Sequence, residues 1–261
     1  MAFLSHLPPW LCGIIIVGSF VVLASVGLPI FQWLTVGRLR LTEEMNNDII
    51  FFASSISVFY SLTVGLIAVG VWSTYTNVEN TISAEATAIG CFYRDASGYP
   101  EPTRSRLQKE VRDYTVFLIE HAWPAQRHGK ITDDATRRLS GLETDLVSFE
   151  PATVGQQVLH AETLHQYNEV ASLRRQRLHA IGGGLPAVMW SVVLFGAVLT
   201  ISVTYLLRMQ RVVHFVLTAF FAMFIGLVIF VIASLDQPLS GPLAIDSDPY
   251  QLVLDRLIDL K

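Results

Sequence analysis

Five small residues in one apolar stretch are spaced three or four positions apart, which places them on one side of a helix. They are Ser54, Ser57, Ser61, Gly65 and Ala68, and we call them the small-residue seam. In a membrane, such a side either lets helices pack closely or lines a water-filled pore. The residue types alone leave both uses open.

Carboxylates stand on both sides of the small-residue seam. Asp48 precedes it, and helical spacing continued through Trp72 and Thr76 reaches Glu79. If several copies of this helix surrounded a pore, each carboxylate would form an acidic ring at one mouth, and acidic rings favour cations. Under the pore interpretation the seam lines the pore, with Asp48 and Glu79 at its mouths; the other interpretation is a packing face inside a monomer or dimer.

Other kinds of chemistry have little support in the sequence. His160, Glu162, His165 and Glu169 lie within ten residues of one another, but histidines five positions apart do not share a helix face. We interpret them as a solvated face and expect no metal site and no cofactor. The chain has no phosphate-binding glycine loop, nucleophile elbow or His-Glu-x-x-His motif, so the sequence does not favour an enzyme.

The composition and four long apolar runs predict a membrane protein. Only 15% of the residues are charged and 52% are hydrophobic, whereas soluble domains have about 25% charged residues. Four runs reach the roughly 20 residues that span a bilayer. They are Trp10–Leu34, Ile49–Trp72, Pro186–Leu207 and Val212–Leu235. The one histidine or charged residue inside them is His214, which disfavours a proton-coupled transporter.

The segment between the second and third runs has helical patterning without strand-like alternation. Thr103 opens one helix, which we expect to stop by Trp123-Pro124, and Thr132 opens a second. Thr153 opens a third, and its apolar stripe is predicted at Val158, Ala161, Leu164, Ala171 and Leu178.

The whole chain is therefore predicted to be all-α, with a helical bundle inserted between two pairs of membrane spans. Residues 1–73 hold spans one and two, and residues 74–184 form the extramembrane bundle. Residues 185–235 form a transmembrane hairpin of spans three and four. Residues 236–261 form a tail whose amphipathic helix is expected to dock on the bundle or on a neighbouring subunit.

Charge decides neither a nucleic-acid partner nor an orientation. The net charge is −4, so nothing points to nucleic acid. On one side of the membrane the short loops carry Arg38, Arg40, Arg208 and Arg211. The other side carries Arg174, Arg175 and Arg177 close to the third span, and these counts are too similar for the positive-inside rule to decide.

Several short motifs are distributed along the chain in a characteristic order and spacing. They are Asn47-Asp48, Glu85-Ala86, Tyr93-Arg94, Trp123-Pro124, Arg174 and Arg177, Leu185-Pro186 with Trp190, Leu235-Asp236-Gln237-Pro238 and Ser240-Gly241. Together they resemble a family of bacterial membrane proteins with a bestrophin-like domain. The resemblance covers nearly the whole chain, with departures at Asn46, where the family commonly has His, and at Leu239, where it tends to have Phe.

The resemblance implies an oligomeric ion channel in which the second of four spans lines the pore and the bundle is cytosolic. Its implied partners are the lipid bilayer, further copies of the chain and small inorganic ions, and its implied location is the bacterial inner membrane. Asp236, Pro238 and Gly241 are expected to shape the tail, with a role in gating as the other interpretation. The alternative function is a non-conducting membrane scaffold or sensor whose bundle binds a partner protein.

Overall fold

The protein is all-helical wherever the computed structural model describes it, which is residues 8–36 and 42–259. This confirms the predicted fold class. The α-helices are α1 Pro9–Val36, α2 Asn46–Ala96, α3 Thr103–Phe117, α4 Trp123–Arg127, α5 Asp133–Val147, α6 Val154–His179, α7 Ala187–Thr204, α8 Arg211–Leu235 and α9 Asp248–Val253. Helices α1, α2, α7 and α8 are long and apolar enough to cross a membrane.

Helix α2 runs without interruption for 51 residues and so continues well beyond a membrane span. A 3₁₀ turn at Glu43–Met45 precedes it. At its first residue, the Asn46 side-chain amide donates to the Arg208 carbonyl (2.8 Å) and accepts from the Arg208 backbone N–H (2.9 Å). This reciprocal pair ties the start of α2 to the segment between α7 and α8.

By compactness the chain divides into two units, each described here by itself. The membrane unit contains the described residues up to Thr74, together with Gly184–Asp236 and Gly241–Leu243. The extramembrane unit contains Tyr75–Gly183, Gln237–Ser240 and the described residues from Ala244 onward. Arg38 and Arg40, which entered the orientation argument, lie outside the described residues.

Within the membrane unit, small residues let helices approach closely. A Cβ added to Gly226 of α8 would lie 3.1 Å from the Val17 Cα of α1. Ala222, one turn earlier, is fully buried. Helix α7 joins the same pair, because the Tyr205 hydroxyl donates to the Ala24 carbonyl at 2.8 Å. Close packing of small residues is how helices associate where lipid offers no hydrophobic driving force.

The extramembrane unit is built around one hydrophobic core. Helices α2, α3, α5 and α6 and the tail each contribute buried residues to it. Ile82, Ile89, Leu107, Leu142 and Leu146 are among its fully buried side chains. Thr153 caps α6 as the sequence predicts, because its side chain accepts from the Gln156 backbone N–H at 3.2 Å.

The prediction that the helix from Thr103 stops by Trp123-Pro124 is wrong. After α3 the backbone passes through a π-helical turn at Leu118–Ala122 and continues as α4 to Arg127. Pro124 then falls in the first turn of α4, where its missing N–H has no helical partner to lose. The extra residue of the π turn removes the clash that a proline inside a regular α-helix would create.

The apolar stripe predicted for α6 is only partly correct, since Leu164 and Ala171 pack against the core. Val158 and Ala161 are exposed. The buried side of this helix carries Thr163, Tyr167, Val170, Leu173, Arg174 and Arg177. Four of these six side chains are hydroxyl-bearing or charged, so a search for apolar spacing misses much of the buried side of the helix.

The tail docks within the extramembrane unit, which was one of the two placements expected for it. Tyr250, Leu254 and Ile258 are buried in the core of this unit. The Arg112 guanidinium forms a two-point ion pair with the Asp259 carboxylate at 2.7 and 3.2 Å. A second π-helical turn, Leu254–Ile258, follows α9.

Candidate functional site

The small-residue seam lies on α2 within the membrane unit, on a side that the rest of the unit covers only in part. Ser54, Ser61 and Gly65 are exposed, and Ser57 and Ala68 are half-buried. A Cβ added at Gly65 would meet no atom within 4 Å. Among the described residues, no neighbouring helix therefore packs tightly against the seam at Gly65.

Part of the seam opens onto a groove of about 370 Å³ inside the membrane unit. Its α2 wall contains Ser57, Ser61 and Gly65 together with Val58, Tyr60 and Val64. Thr200 of α7 is a further polar residue in it. The opposite wall is apolar and consists of Phe221, Phe224, Ile225 and Val228 of α8. The seam thus borders the chain's own helices on one flank and is open on the other.

Two hydroxyls in this groove already donate to their own helices. Ser61 Oγ donates to the Val58 carbonyl at 3.0 Å, and Thr200 Oγ1 donates to the Gly196 carbonyl at 2.7 Å. Both oxygens can still accept a hydrogen bond. The groove consequently offers water or an ion acceptor oxygens on an otherwise apolar surface.

A second uncovered side of α2 is apolar and was not singled out from the sequence. Val58, Leu62 and Val69 are all more than 60% exposed, and their spacing of four and seven places them on one side of the helix. At 100° per residue this side adjoins the seam. Two neighbouring sides of α2 therefore compete to face a pore, one of small residues and one of branched apolar residues.

Helix α2 is held to the rest of the membrane unit by its remaining side. The Tyr60 hydroxyl donates to the Val193 carbonyl of α7 at 3.2 Å. Its ring lies directly over Gly196, where an added Cβ would come within 2.5 Å of it. Gly196 is thus required for this contact, whereas a Cβ added at Gly65 on the seam would meet no atom within 4 Å among the described residues.

The predicted mouth residues are solvent-facing. Asp48 in the first turn of α2 and Glu79 in the extramembrane unit are both exposed. The 31 positions between them exceed the roughly 20 that cross the hydrocarbon core, so both carboxylates can remain in water.

Asp236 has a structural partner at the start of α7. Its carboxylate accepts from the Leu185 backbone N–H at 2.6 Å and from Trp190 Nε1 at 3.2 Å. A carboxylate at a helix N-terminus satisfies open backbone donors and complements the helix dipole. The motifs Leu185-Pro186, Trp190 and Asp236, which are distant in sequence, therefore meet in one contact.

Pro238 and Gly241 are buried, as residues that shape the tail should be. In the extramembrane unit the Pro238 carbonyl accepts from the Ile245 backbone N–H at 2.8 Å.

A buried ion pair in the extramembrane unit received no role from sequence reasoning. Arg177 of α6 and Glu85 of α2 are both 0% exposed. The guanidinium donates to the carboxylate twice, from Nε to Oε2 at 2.7 Å and from Nη2 to Oε1 at 3.0 Å. Buried ions are tolerated only with such geometry and with further hydrogen bonds around them.

Those further bonds come from two other segments. The Tyr250 hydroxyl of the tail donates to Glu85 Oε2 at 2.9 Å, and Arg177 Nη1 donates to the Gln126 side chain. The guanidinium also lies 5.4 Å from the centre of the Trp123 ring, close enough for a cation–π interaction. We call Glu85, Gln126, Arg177 and Tyr250 the buried polar cluster.

The electrostatics of this cluster keep it charged. Burial alone would lower the pKa of Arg177, but the adjacent Glu85 carboxylate outweighs it and raises that pKa. Burial, followed by the Glu85 charge, raises the pKa of Tyr250 well above its ordinary value, so its hydroxyl remains a donor. The cluster is permanently paired near neutral pH and suits a structural role.

One sequence signal could have revealed this cluster. Glu85 lies within the apolar repeat Ile82, Ala86 and Ile89, and a charged residue inside a buried repeat requires a buried partner. Glu85, Trp123 and Arg177 belong to the motifs of the family resemblance, and in the structure Arg177 contacts both Glu85 and Trp123.

The one histidine of the four apolar runs is also engaged structurally. His214 is buried, with Nε2 at 3.0 Å from the Thr204 carbonyl and Nδ1 at 3.3 Å from the Gln32 side chain. Among the residues that the structure describes, no group of three or more His, Cys, Asp or Glu side chains is arranged to hold a metal ion.

Solved structures with a similar fold include a bacterial bestrophin homologue and a membrane protein. A bacterial bestrophin homologue from Klebsiella pneumoniae carrying a point mutation matches with a TM-score of 0.69 at 10% identity, covering 95% of this chain and 99% of that one. A structure described as a membrane protein, also a point mutant, matches with a TM-score of 0.67 at 11% identity, covering 93% and 97%. At these identities the likeness concerns the fold.

Comparison of the sequence gives the family. No curated protein matches this chain at a significant level. The family model for the bestrophin-like domain matches residues 6–250, nearly the full length. The chain therefore belongs to the bestrophin-like domain family.

Proposed function

We propose that several copies of this chain assemble in the membrane as an ion channel, with α2 of each copy lining a shared pore. The observation that carries this proposal is the uncovered side of α2 in the membrane unit, where Ser54, Ser61 and Gly65 are exposed. A small polar surface left open along a spanning helix needs water or another copy of the chain.

Three further observations support passive conduction. The family and the fold are those of bestrophin homologues, one of which supplies the solved structure from Klebsiella pneumoniae. The apolar runs contain no acidic or basic residue for a proton relay. His214, the one histidine in them, is already hydrogen-bonded on both ring nitrogens.

The lining residues of this pore are proposed to be Ser54, Ser57, Ser61, Gly65 and Ala68. The competing lining is the adjoining apolar side with Val58, Leu62 and Val69. A narrow apolar ring conducts poorly unless it widens, whereas hydroxyls and exposed backbone at glycine keep a pore wet. The two linings therefore predict different reactive positions on the same helix.

Cysteine modification during planar-bilayer recording separates the two linings. In a chain with Cys12 and Cys91 replaced by alanine, we expect a water-soluble thiol reagent to reduce unitary current through Ser61→Cys. Phe52→Cys, on an exposed side of α2 away from the seam, is the matched control and should be unaffected. If Val58→Cys reacts and Ser61→Cys does not, the lining belongs to the apolar side.

The charge of the pore mouth gives a second readout of the same recordings. Glu79 is exposed, and a ring of carboxylates at a mouth favours cations. We expect Glu79→Lys to shift the reversal potential in a salt gradient towards anion permeation. Glu169→Lys, a charge reversal on the exposed part of α6, should leave it unchanged. An unchanged value for Glu79→Lys removes this residue from the mouth.

The alternative proposal is a non-conducting scaffold or sensor that binds a partner protein through the extramembrane unit. It is favoured by Val147, Val154 and Val158, which are each more than 60% exposed near the α5–α6 connection. Purified protein that gives no unitary current at any voltage supports this alternative. A strictly monomeric state in detergent would also exclude a shared pore.

A further inference from the structure

A second groove in the membrane unit lies beside the start of α7 and has a volume of about 480 Å³. Its walls come from α2, from the start of α7 and from the end of α8, and they are mostly apolar. Two of the lining side chains are polar, those of Thr74 and Asp236. We call this cavity the Asp236 groove, and none of its lining residues belongs to the small-residue seam.

The Asp236 groove has a polar end and an apolar end. On α2 it extends from Leu66 to Thr74, which is roughly 12 Å along the helix axis. Thr74 is the last α2 residue of the membrane unit, and Asp236 directly follows α8. The polar end therefore lies where the spanning helices end, at the level of lipid headgroups. The apolar end, at Leu66 and Met189, lies within the span.

Asp236 brings a buried negative charge to the polar end. The residue is 8% exposed, and its carboxylate accepts from the Leu185 backbone N–H at 2.6 Å and from Trp190 Nε1 at 3.2 Å. Both donors are neutral, and no ion pair among the described residues includes Asp236. Buried charges in proteins are normally paired. The carboxylate oxygens can still accept further hydrogen bonds, so the groove offers a place for a cation.

The other groups at this end also favour a cationic donor. Thr74 Oγ1 donates to the Gly70 carbonyl at 3.1 Å and can itself accept from a ligand. Leu235 is the last residue of α8, and the carbonyl end of a helix attracts positive charge. The opposite pole, at the start of α7, is already complemented by the Asp236 carboxylate.

We propose that the Asp236 groove binds a phospholipid whose headgroup carries a primary ammonium, with the ammonium donating to Asp236 and an acyl chain lying along α2. The bilayer supplies such a ligand, cationic at one point and apolar along its chains. Leu66 and Met189 are exposed, so a chain can enter from the side. A Cβ added at Gly70 would meet no described atom within 4 Å, which leaves room for the chain. The inference does not depend on whether the protein conducts ions.

Lipid titration of the delipidated full chain in detergent, followed by native mass spectrometry, tests the proposal. The probes are phosphatidylethanolamine, phosphatidylglycerol and N-acetylated phosphatidylethanolamine with the same acyl chains. N-acetylation converts the ammonium to a neutral amide and leaves the phosphate and the chains unchanged. A hydrogen bond to a charged group corresponds to a difference in affinity of about tenfold or more. We therefore expect phosphatidylethanolamine to bind about tenfold more tightly than either of the other lipids.

Two variants locate the site. Asp236→Asn removes the negative charge and should abolish the preference for phosphatidylethanolamine. Gly70→Leu fills the groove, leaves Asp236 intact and should weaken binding of all three lipids. Gly18→Leu on α1 is the matched control, because a Cβ added there also meets no described atom within 4 Å and Gly18 lies outside the groove. If Asp236→Asn does not fold, the N-acetylated lipid makes the same comparison on the unaltered protein.

Three results would overturn the proposal. They are equal wild-type affinities for the three lipids, a preference that persists in Asp236→Asn, and wild-type affinities in Gly70→Leu. A different occupant would also be visible in these spectra. If the wild type shows no lipid preference and Gly70→Leu dissociates an oligomer, the groove is covered by a second copy of the chain and not by lipid.

Discussion

The two parts of α2 differ in how far this chain completes their surroundings. In the extramembrane unit, Ile82, Glu85, Ala86 and Ile89 are fully enclosed. In the membrane unit, most α2 side chains remain open, and Tyr60 makes its defining contact with α7. The extramembrane part of α2 is therefore stabilised by the chain's own side chains. The membrane part leaves most of its surface to be covered by lipid or by further copies of the chain.

Loss of the buried ion pair in the extramembrane part of α2 should reduce stability most. Glu85→Ala leaves the Arg177 guanidinium buried without its carboxylate, and loss of one partner of a buried pair costs about 3–5 kcal/mol. We expect this loss in the free energy of unfolding, measured by chemical denaturation in detergent. Glu169→Gln should stay within about 0.5 kcal/mol of wild type.

A double variant checks the physical reason for that loss. Replacing both ions with apolar residues, as in Glu85→Leu with Arg177→Met, removes the unpaired charge and should recover much of the stability. A double variant as unstable as Glu85→Ala would mean that shape, rather than the unpaired charge, dominates at this position.

A smaller effect is expected from the tail's contribution to the same cluster. Tyr250→Phe removes the hydroxyl that donates to Glu85 Oε2 at 2.9 Å. Hydrogen bonds to charged groups contribute about 1.5–3 kcal/mol, and we expect a loss of that size in denaturant unfolding. Tyr93→Phe, which removes a longer bond to the Ile258 carbonyl (3.3 Å), should cost less. Equal losses would argue against a special role for the cluster.

Two glycine substitutions in the membrane unit should change stability least, and they separate a packed glycine from an open one. Gly196→Ala places a Cβ within 2.5 Å of the Tyr60 ring, and such overpacking costs about 1–3 kcal/mol. Gly65→Ala meets no atom within 4 Å and should leave thermal stability in detergent unchanged if the seam faces water. If Gly65→Ala destabilises the assembly as strongly as Gly196→Ala, the seam is a packing surface between copies.

Much of the fold could be predicted from the sequence, because long apolar runs and helix caps depend on local composition. The apolar runs, the Thr153 cap and the docking of the tail follow from residue types close together in the chain. The π turn at Leu118–Ala122 could not be predicted, because neither apolar spacing nor the Trp123-Pro124 stop signal reveals one extra residue in a helical turn.

The candidate site was predictable only in part. The seam was found from its spacing, but the groove that it shares with Phe221 and Ile225 requires the arrangement of α8. The buried polar cluster was missed because the buried side of α6 includes Arg174 and Arg177. Arg174 and Arg177 were also counted as near-membrane charges in the orientation argument. Because both are buried in the extramembrane unit, they do not present their charge to the membrane surface.

The hydrogen bond between Tyr250 and Glu85 can form only late in translation. These residues are 165 positions apart, and both α7 and α8 are translated between them. A nascent chain holding Glu85 and Arg177 must therefore thread two more membrane helices before the ribosome supplies the tyrosine. Until then the cluster lacks one donor, so it is completed only after α7 and α8 have been translated.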